Sequence, residues 1–202
     1  MPRHGKICAV SKKDGYMQFN KIETPLKDVY ILEPKVFGDH RGWFLETWSK
    51  KDLEAAGLHY DFVQDNQSYS AHKGTLRGLH FQRGEASQAK LVRCVRGAIL
   101  DVAVDLRHDS PTYKQWTSVE LSAENKLEFL VPRGFAHGFV TLTDDVEFLY
   151  RVDNYYAPGT EASIRYDDPE FGIDWGLKDG EKPILAEKDE AAPFFKDYGI
   201  LF

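Results

Sequence analysis

The sequence predicts an all-β domain, a sandwich or a barrel, on three observations. Residues 100–107 and 146–153 alternate apolar and polar side chains with a period of two, as half-buried strands do. Shorter β-type runs lie between them at 119–121 and 129–132, and turn residues recur at intervals of roughly 8–12 residues. Only one segment carries convincing helix signals. Many short strands with turns between them favour a closed β structure over a parallel α/β sheet.

The first strands are expected soon after residue 17. Residues 1–16 are basic and rich in turn residues, and we interpret them as an N-terminal extension. Residues 29–32 are a short apolar run that Pro34 restricts to a strand near a sheet edge. Residues 37–44 have the pattern of a charged turn between two extended segments. No linker or repeat interrupts the rest of the chain, so residues 17–202 are predicted to form a single domain.

The one convincing helix begins after Ser49, a good N-cap residue, and ends near Gly57. Trp48 and Leu53 have the spacing of a hydrophobic staple. The pattern is typical of a short helix that covers the core and has no catalytic role. After residue 158 the chain is rich in turns, and Trp175 and the apolar residues between 194 and 202 are expected to pack against the barrel.

Composition narrows the classes of function. A chain of 202 residues with 42% hydrophobic residues can bury a sizeable core. The formal charge of −6 argues against a general nucleic-acid-binding protein, although a local arginine cluster can still bind an anion. Two cysteines are too few for a disulfide framework, which favours a reducing cytoplasm. No apolar run approaches the ~20 residues of a membrane span, so no membrane association is expected.

Residues 75–83, Thr-Leu-Arg-Gly-Leu-His-Phe-Gln-Arg, combine apolar side chains with a histidine and two arginines. A solvated loop does not need the apolar residues, and a plain core strand would not carry the charges. The mixture indicates a half-buried strand that lines a cavity, with His80 as a general base. The alternative is a buried histidine satisfied by hydrogen bonds. Arg77 and Lys90 weigh against it, because buried cations need an anionic partner such as a ligand phosphate.

A metal site is the rival interpretation of His80, because β-barrels with a His-x-His pair often hold iron or manganese. The residue two positions after His80 is Gln82, a poor substitute for an imidazole ligand. His137 lies on another predicted strand. Two histidines without a third nitrogen or a clear carboxylate make a weak metal site, so no metal is predicted.

Two groups of aromatic residues have both structural and functional interpretations. Tyr150 lies on the apolar face of its strand, where it is either a core tyrosine or a buried phenol that can donate a proton. Tyr155 and Tyr156 either cover the end of the core or offer a face on which a nucleobase stacks.

The charged pair Lys188 and Asp189, within a charged run, has the pattern of a solvated surface. The same pattern applies to Arg41, Glu46 and Glu161.

Taken together, the sequence resembles the dTDP-4-dehydrorhamnose 3,5-epimerase family over about residues 19–189. Six blocks carry the resemblance in order: 33–42 (EPKVFGDHRG), 62–66 (FVQDN), 76–82 (LRGLHFQ), 90–93 (KLVR), 132–139 (PRGFAHGF) and 154–156 (NYY). The resemblance implies a cupin-type double-stranded β-helix, a jelly-roll barrel, with a few short helices. It also implies a metal-free homodimer that needs no cofactor and acts on a dTDP-linked 4-keto-6-deoxyhexose. Two departures, His40 where an acid is common and the extension 1–16, do not touch the proton-transfer residues.

The resemblance further assigns roles to individual residues. His80 matches the proton-abstracting base, Asp189 the carboxylate that orients it, Tyr150 the acid on the opposite face of the sugar, and Lys90 a lysine close to the C4 oxygen. The positions that match substrate contacts are Arg41, Glu46, Gln64, Asp65, Asn66, Arg77, His137, Tyr156, Glu161 and Lys188. Tyr156 matches the residue that stacks on thymine, and Arg41 is expected to reach across a dimer interface.

Three alternatives to the double inversion remain open from the sequence. A 3-epimerase would stop after one inversion with the same base, and a 3,4-ketoisomerase would use the same barrel. A non-catalytic sugar-nucleotide-binding or metal-binding cupin would bind ligand without hydrogen exchange. The polymer or product that receives the sugar is not encoded in these residues.

Overall fold

The computed structural model describes residues 17–178 and 180–202, so the predicted extension 1–16 lies outside the described residues. Nearly all of the regular secondary structure in these residues is β-strand. The strands are β1 (Phe19–Glu23), β2 (Tyr30–Pro34), β3 (Phe37–Asp39), β4 (Gly42–Phe44), β5 (Gln64–Ser70), β6 (Leu76–Gln82), β7 (Lys90–Arg96), β8 (Ala98–Asp105), β9 (Trp116–Ser122), β10 (Glu128–Val131), β11 (Phe135–Thr141), β12 (Val146–Val152) and β13 (Glu161–Ser163). Two short α-helices, α1 (Lys50–Ala55) and α2 (Glu187–Glu190), and two single 3₁₀ turns complete the elements.

The strands form two large antiparallel sheets. One has the order β1-β2-β10-β7-β12-β5 and the other the order β13-β6-β11-β8-β9, while β3 and β4 form a separate hairpin. Most neighbours in both sheets are distant in sequence, so each sheet closes only when remote segments meet. This arrangement confirms the predicted cupin-type barrel with a few short helices.

The core between the sheets contains apolar side chains from both of them, among them Val92, Phe129, Phe139 and Phe148. The alternation in β8 is also confirmed, but its apolar face points outward from the barrel. Val102 and Val104 pack there against a second cluster that includes Trp175 and Phe195 from the C-terminal segment. The other face of β8, which carries Asp101, therefore lies between the sheets.

The predicted terminal packing holds for most of the segment. Trp175 and Phe195 are buried, and Tyr198, Leu201 and Phe202 pack against the same cluster. Ile200 is an exception, because three quarters of its surface is exposed, and Phe194 is only partly buried and lies outside this cluster. The C-terminal segment is thus the outer cover of the five-stranded sheet, and it brings α2 to the open end of the barrel.

The predicted helix is present as α1, and it covers the outer face of the six-stranded sheet. The Ser49 side chain accepts a hydrogen bond from the Asp52 backbone N–H at 3.3 Å, and Gly57 follows with a positive φ of 77°. Leu53 is buried in a third cluster against which Trp48 packs, as the staple predicts. Across residues 17–178 and 180–202, neither helix combines the length and apolar composition needed to span a bilayer.

Candidate active site

A cavity of about 630 Å³ lies between the two sheets at the end where α2 docks. Five of the sequence-predicted residues meet in it from separate elements. His80 comes from β6, Lys90 from β7, His137 from β11, Tyr150 from β12 and Asp189 from α2. The fold therefore assembles residues that are up to 109 positions apart in the chain.

Two glycines allow the strands that carry the histidines to approach closely. Gly78 in β6 has a φ of 138°, and a Cβ there would lie 2.6 Å from the Cα of Gly138 in β11. Only a residue without a side chain fits this position. The pairing of β11 with β6 shifts in register between His137 and Phe139, and His137 lies directly opposite His80. The irregular pairing thus places both imidazoles on the wall of one cavity.

His80 and Asp189 form the first histidine–carboxylate pair, with 2.5 Å between Nε2 and Oδ1. The His80 side chain keeps 34% of its surface exposed to the cavity, whereas Asp189 is only 2% exposed. The interpretation of residues 188 and 189 as solvated surface is therefore wrong for Asp189. The carboxylate is buried because α2 packs against β6. The segment just before α2 is bonded to the same strand, since the Leu76 N–H donates to the Ile184 carbonyl at 2.9 Å.

His137 and Asp101 form a second pair, with 2.7 Å between Nε2 and Oδ1. Asp101 is fully buried, and its Oδ2 has no hydrogen-bond partner among the described residues. Burial lowers the pKa of His137, although the Asp101 carboxylate opposes that change, and burial raises the pKa of Asp101. Sequence reasoning missed Asp101 because alternation puts it on the polar face of β8, which here faces the inside of the barrel.

Lys90 reaches the cavity from β7, and its Nζ lies 3.5 Å from the His80 backbone carbonyl. Burial lowers the pKa of Lys90 to about 8, and the Asp101 carboxylate partly opposes this. The amine therefore carries its charge at neutral pH and loses it only slightly above. A cation of this kind suits an oxygen that gains negative charge during a reaction.

Tyr150 lies on β12 in the six-stranded sheet, opposite Asn66 of β5. Its ring packs on Phe148 with 5.7 Å between centroids, which agrees with the predicted apolar face. Burial raises the pKa of the phenol, and the charge of Arg77 opposes the rise. A phenol that stays protonated and faces a cavity can serve as a proton donor.

The mouth of the cavity is lined by four further predicted residues: Arg77, Tyr156, Glu161 and Lys188. Arg77 is held by hydrogen bonds from its guanidinium to the Ser70 hydroxyl at 3.2 Å and the Tyr69 carbonyl at 3.1 Å. The Tyr156 hydroxyl donates to Glu161 at 2.7 Å. Glu161 and Lys188 are exposed, as the charge pattern predicts, yet both face the cavity.

Gln64 and Asn66 lie on β5 beside the cavity, joined by a 2.8 Å hydrogen bond. Asn66 and Tyr150 are cross-strand partners, so they point to the same face of the sheet. Asp65 points to the opposite face, where it pairs with Arg151 at 3.3 Å. One chain does not bring Asp65 to the cavity, because consecutive side chains of a strand alternate between faces.

Arg41 and Glu46 also lie away from the cavity of their own chain. Arg41 is at the tip of the β3–β4 hairpin, 78% exposed, with Asp39 as its ion-pair partner at 2.6 Å. Glu46 lies beside a small recess under Trp48. Neither residue lines the cavity of its own chain.

Each of the two cavity histidines has a carboxylate partner rather than a second imidazole. Within residues 17–178 and 180–202, no three His, Cys, Asp or Glu side chains converge as metal ligands would. Gln82 stands where a His-x-His motif has its second histidine, and its amide bonds to the backbone of two separate segments, at Ala86 and at Ala157. Polar groups in this arrangement can exchange protons and can donate hydrogen bonds to an anion.

Comparisons with known proteins agree over most of the chain. The family model for dTDP-4-dehydrorhamnose 3,5-epimerase matches residues 23–197. The dTDP-4-dehydrorhamnose 3,5-epimerase of Salmonella typhimurium is 54% identical over 173 residues, which cover 85% of this chain and 93% of that protein.

Solved structures of sugar-nucleotide epimerases are also similar to this chain. A dTDP-6-deoxy-D-glucose-3,5-epimerase from Legionella pneumophila, in complex with dTDP-4-keto-L-rhamnose, is 46% identical with a TM-score of 0.84, over 91% of this chain and 97% of that one. A 3'-monoepimerase from Streptomyces bikiniensis, in complex with dTDP-quinovose, is 35% identical with a TM-score of 0.79, over 88% and 90% of the two chains.

Proposed function

The chain belongs to the dTDP-4-dehydrorhamnose 3,5-epimerase family, and from that premise we propose how its cavity performs the reaction. The substrate is dTDP-4-dehydro-6-deoxy-D-glucose, and inversion at C3 and C5 gives dTDP-4-dehydro-L-rhamnose. One observation carries the proposal: His80 and Tyr150 line the same cavity from opposite sheets. A base on one wall and an acid on the other are what a two-face proton exchange requires.

The hydrogens at C3 and C5 are both α to the C4 ketone, so removal of either one gives an enolate that is planar at that carbon. His80 takes the proton. Because Nε2 is bound to Asp189, the nitrogen left free to act as base is Nδ1. The carboxylate fixes that tautomer before the reaction and stabilises the imidazolium formed afterwards.

Lys90 stabilises the enolate oxygen that develops at C4. Its ammonium is desolvated in the barrel wall, where a charge interacts with the oxyanion more strongly than it would in water. Since its pKa is about 8, the group is mostly protonated at pH 7. No cofactor is required, because the ketone itself makes the α hydrogens acidic.

Tyr150 returns a proton from the face opposite His80 and thereby inverts the carbon. A phenol is protonated at neutral pH, and burial raises the pKa of Tyr150 further. The hydrogens at C3 and C5 of the D-gluco-configured substrate lie on the same face of the ring, so one base on that face and one acid opposite serve both carbons. A solvent-derived hydrogen at both carbons is the expected signature.

The nucleotide part of the substrate is held at the mouth of the cavity. Arg77 and Lys188 supply cations for the diphosphate, since arginine makes charge-assisted contacts with phosphate oxygens. Tyr156 offers a stacking face for thymine, with His137, Gln64, Asn66 and Glu161 as further contacts. Asp65 is not proposed as a contact, because its side chain pairs with Arg151 on the face of β5 that points away from the cavity.

We further propose that the enzyme is a homodimer in which Arg41 and Glu46 reach the partner's cavity. The hairpin that presents Arg41 also exposes Phe37, Trp43 and Phe44, at 44, 58 and 65% of their surface. An apolar patch of this kind is typical of a protein interface. A cytoplasmic location is proposed on cysteine usage alone, with Cys94 as a buried free thiol.

Proton NMR of the product tests the proposed reaction. Purified enzyme with dTDP-4-dehydro-6-deoxy-D-glucose is expected to give the sugar inverted at both C3 and C5. A product inverted only at C3 would identify a monoepimerase, and a product with the keto group moved to C3 would identify a ketoisomerase. Recovery of unchanged substrate with full ligand binding would leave only the non-catalytic alternative.

The proposed dimer is tested separately by light scattering coupled to size exclusion. A mass near twice 23.1 kDa is expected for the wild-type chain. A mixture of inactive His80→Ala and Arg41→Ala chains is then expected to regain part of the activity, because one of the two mixed sites is intact. Monomeric wild-type enzyme with full activity would contradict the shared site.

A further inference from the structure

The loop between β12 and β13 carries Tyr156, and side-chain amides make several hydrogen bonds to the middle of this loop. Gln88 Nε2 donates to the Asn154 carbonyl at 2.8 Å, and Asn154 Nδ2 donates to the Glu85 carbonyl at 2.9 Å. The Tyr156 N–H donates to Gln64 Oε1 at 3.3 Å. The loop is therefore clamped in place although Tyr156 itself is half exposed.

Gln82 also bonds to this loop, and its side chain reaches the loop from the inside of the barrel. Its Oε1 accepts from the Ala157 N–H at 2.9 Å, while Nε2 donates to the Ala86 carbonyl at 2.8 Å and the Tyr155 carbonyl at 3.4 Å. The Tyr155 carbonyl and the Ala157 N–H belong to the two peptide groups that flank Tyr156. One buried amide, 6% exposed, thus fixes the backbone on both sides of that tyrosine.

Gln82 is also the last residue of β6 and lies two positions after His80. Side chains two positions apart in a strand point to the same face, about 7 Å apart. Both residues line the cavity. The strand that presents the proposed base therefore also sets the position of the loop that presents the stacking tyrosine.

We propose that Gln82 is a positioning residue for nucleobase binding. It holds the loop so that Tyr156 stands at a fixed distance from His80, and a dTDP-sugar stacked on Tyr156 then has its sugar at the base. The inference rests on the proposed function for the stacking role of Tyr156. It explains why a polar amide is buried at a position that a metal-binding cupin would fill with histidine.

The test compares Gln82→Met, which fills a similar volume without hydrogen bonds or charge, with the matched control Gln67→Met. Gln67 lies outside the cavity, where its amide donates to Glu147 at 2.9 Å. Gln82→Asn is the second variant, because it keeps the polar group but is too short to reach both peptide groups. Calorimetry measures the affinities for dTDP and for inorganic pyrophosphate, which has no base.

For both Gln82 variants we expect the Kd of dTDP to rise at least tenfold, while the Kd of pyrophosphate stays within threefold of wild type. KM should rise more than kcat falls, and Gln67→Met should match wild type. In a Tyr156→Ala background, Gln82→Met should weaken dTDP binding no further, since both changes remove the same stacking interaction between the base and Tyr156.

Any of these binding results would overturn the proposal: dTDP affinity within twofold of wild type in both variants, equal weakening of dTDP and pyrophosphate, or additive losses in the double variant. A fall in kcat with KM unchanged would likewise overturn it, since that pattern assigns Gln82 to His80 instead. Failure of the proposed function looks different: the wild-type protein would not epimerise the sugar, while dTDP binding would still respond to Gln82.

Discussion

Two histidine–carboxylate pairs lie in the wall of one cavity. They differ in the element that supplies the carboxylate and in the exposed fraction of the histidine. Asp189 comes from a short helix in the C-terminal segment and leaves a third of His80 open to the cavity. Asp101 comes from β8 in the barrel wall, and its partner His137 is 7% exposed. The first pair can exchange a proton with a ligand, whereas burial holds the second imidazole in its neutral form.

A histidine–carboxylate pair by itself therefore does not define a catalytic base. Both pairs have a short contact between Nε2 and Oδ1, at 2.5 and 2.7 Å. Exposure and the neighbouring charges separate their roles, since Lys90 disfavours a charged His137 and Asp101 in turn favours the charged Lys90. His80 with Asp189 is proposed as the proton-transfer pair, and His137 with Asp101 as a fixed polar wall that supports Lys90.

The largest expected effect comes from removal of the base. His80→Ala should lower kcat by about 10³-fold or more, near the upper end of what a positioned acid–base group contributes. Steady-state assays with His108→Ala as the control test this, because His108 is exposed and lies outside the cavity. Equal activity of the two variants would reassign the base.

The two carboxylates should give unequal effects when each is made neutral. Asp189→Asn should lower kcat by about 10²–10³-fold at pH 7, because an amide no longer stabilises the imidazolium and can select the wrong tautomer. Asp101→Asn should cost about tenfold, since it acts only through Lys90 and His137. Measurement of kcat at saturating substrate compares the two variants. A larger loss in Asp101→Asn than in Asp189→Asn would assign proton transfer to His137 and Asp101 instead.

Tyr150→Phe extends the same question to the facing sheet. We expect about a 10²-fold loss in the rate of inversion at C5 and a smaller loss at C3, because the phenol is the proposed donor on that face. NMR of the product over time measures the ratio of singly to doubly inverted sugar. An unchanged ratio together with an unchanged rate would count against an acid at this position.

Lys90 gives the smallest and most specific effect, a pH dependence. Activity should fall as pH rises through about 8, where the ammonium is lost. Asp101→Asn should move that fall to lower pH, because the carboxylate no longer favours the charged lysine. Lys90→Met should lack the alkaline fall, and an unchanged profile in both variants would exclude Lys90 as its source.

The same group predicts the sign of a stability change. The pKa of Lys90 is lower in the folded chain, about 8, than its ordinary value of 10.5. Between those pH values the unfolded chain binds more protons, so the Lys90 contribution to the free energy of unfolding rises with pH, by at most about 1.4 kcal/mol per unit. Denaturant titrations give the free energy of unfolding of wild type and Lys90→Met at pH 7.5 and 9.5. If this free energy changed equally with pH in the two proteins, the result would contradict a buried Lys90.

Much of the fold and part of the site can be predicted from sequence. Period-two alternation marks β8 and β12, and capping residues mark α1, because these patterns depend on local chemistry. Alternation cannot tell which face of β8 turns inward, so it does not single out Asp101 as a cavity residue. That face is decided by the pairing of β8 with β11 and β9 and by the segment that covers the opposite side.

The role of Asp189 is likewise invisible in its local sequence. It lies in a charged run that has the pattern of a solvated surface, and only the resemblance to a family singles it out. Its burial depends on where the C-terminal segment docks, through the contacts of Ile184 with Gly74 and Leu76. Gln82 is a similar case. Its proposed role depends on hydrogen bonds to three backbone groups, and no sequence pattern near residue 82 reveals them.

Deuterium wash-in from solvent is the sharpest test of proton abstraction by His80. Wild-type enzyme and His80→Ala are incubated in D₂O with saturating dTDP-4-dehydro-6-deoxy-D-glucose, and NMR measures the signals of the hydrogens at C3 and C5. We expect deuterium at both carbons with wild type and none with His80→Ala, although the variant still binds dTDP. Exchange at the wild-type rate in His80→Ala would show that another group removes the protons.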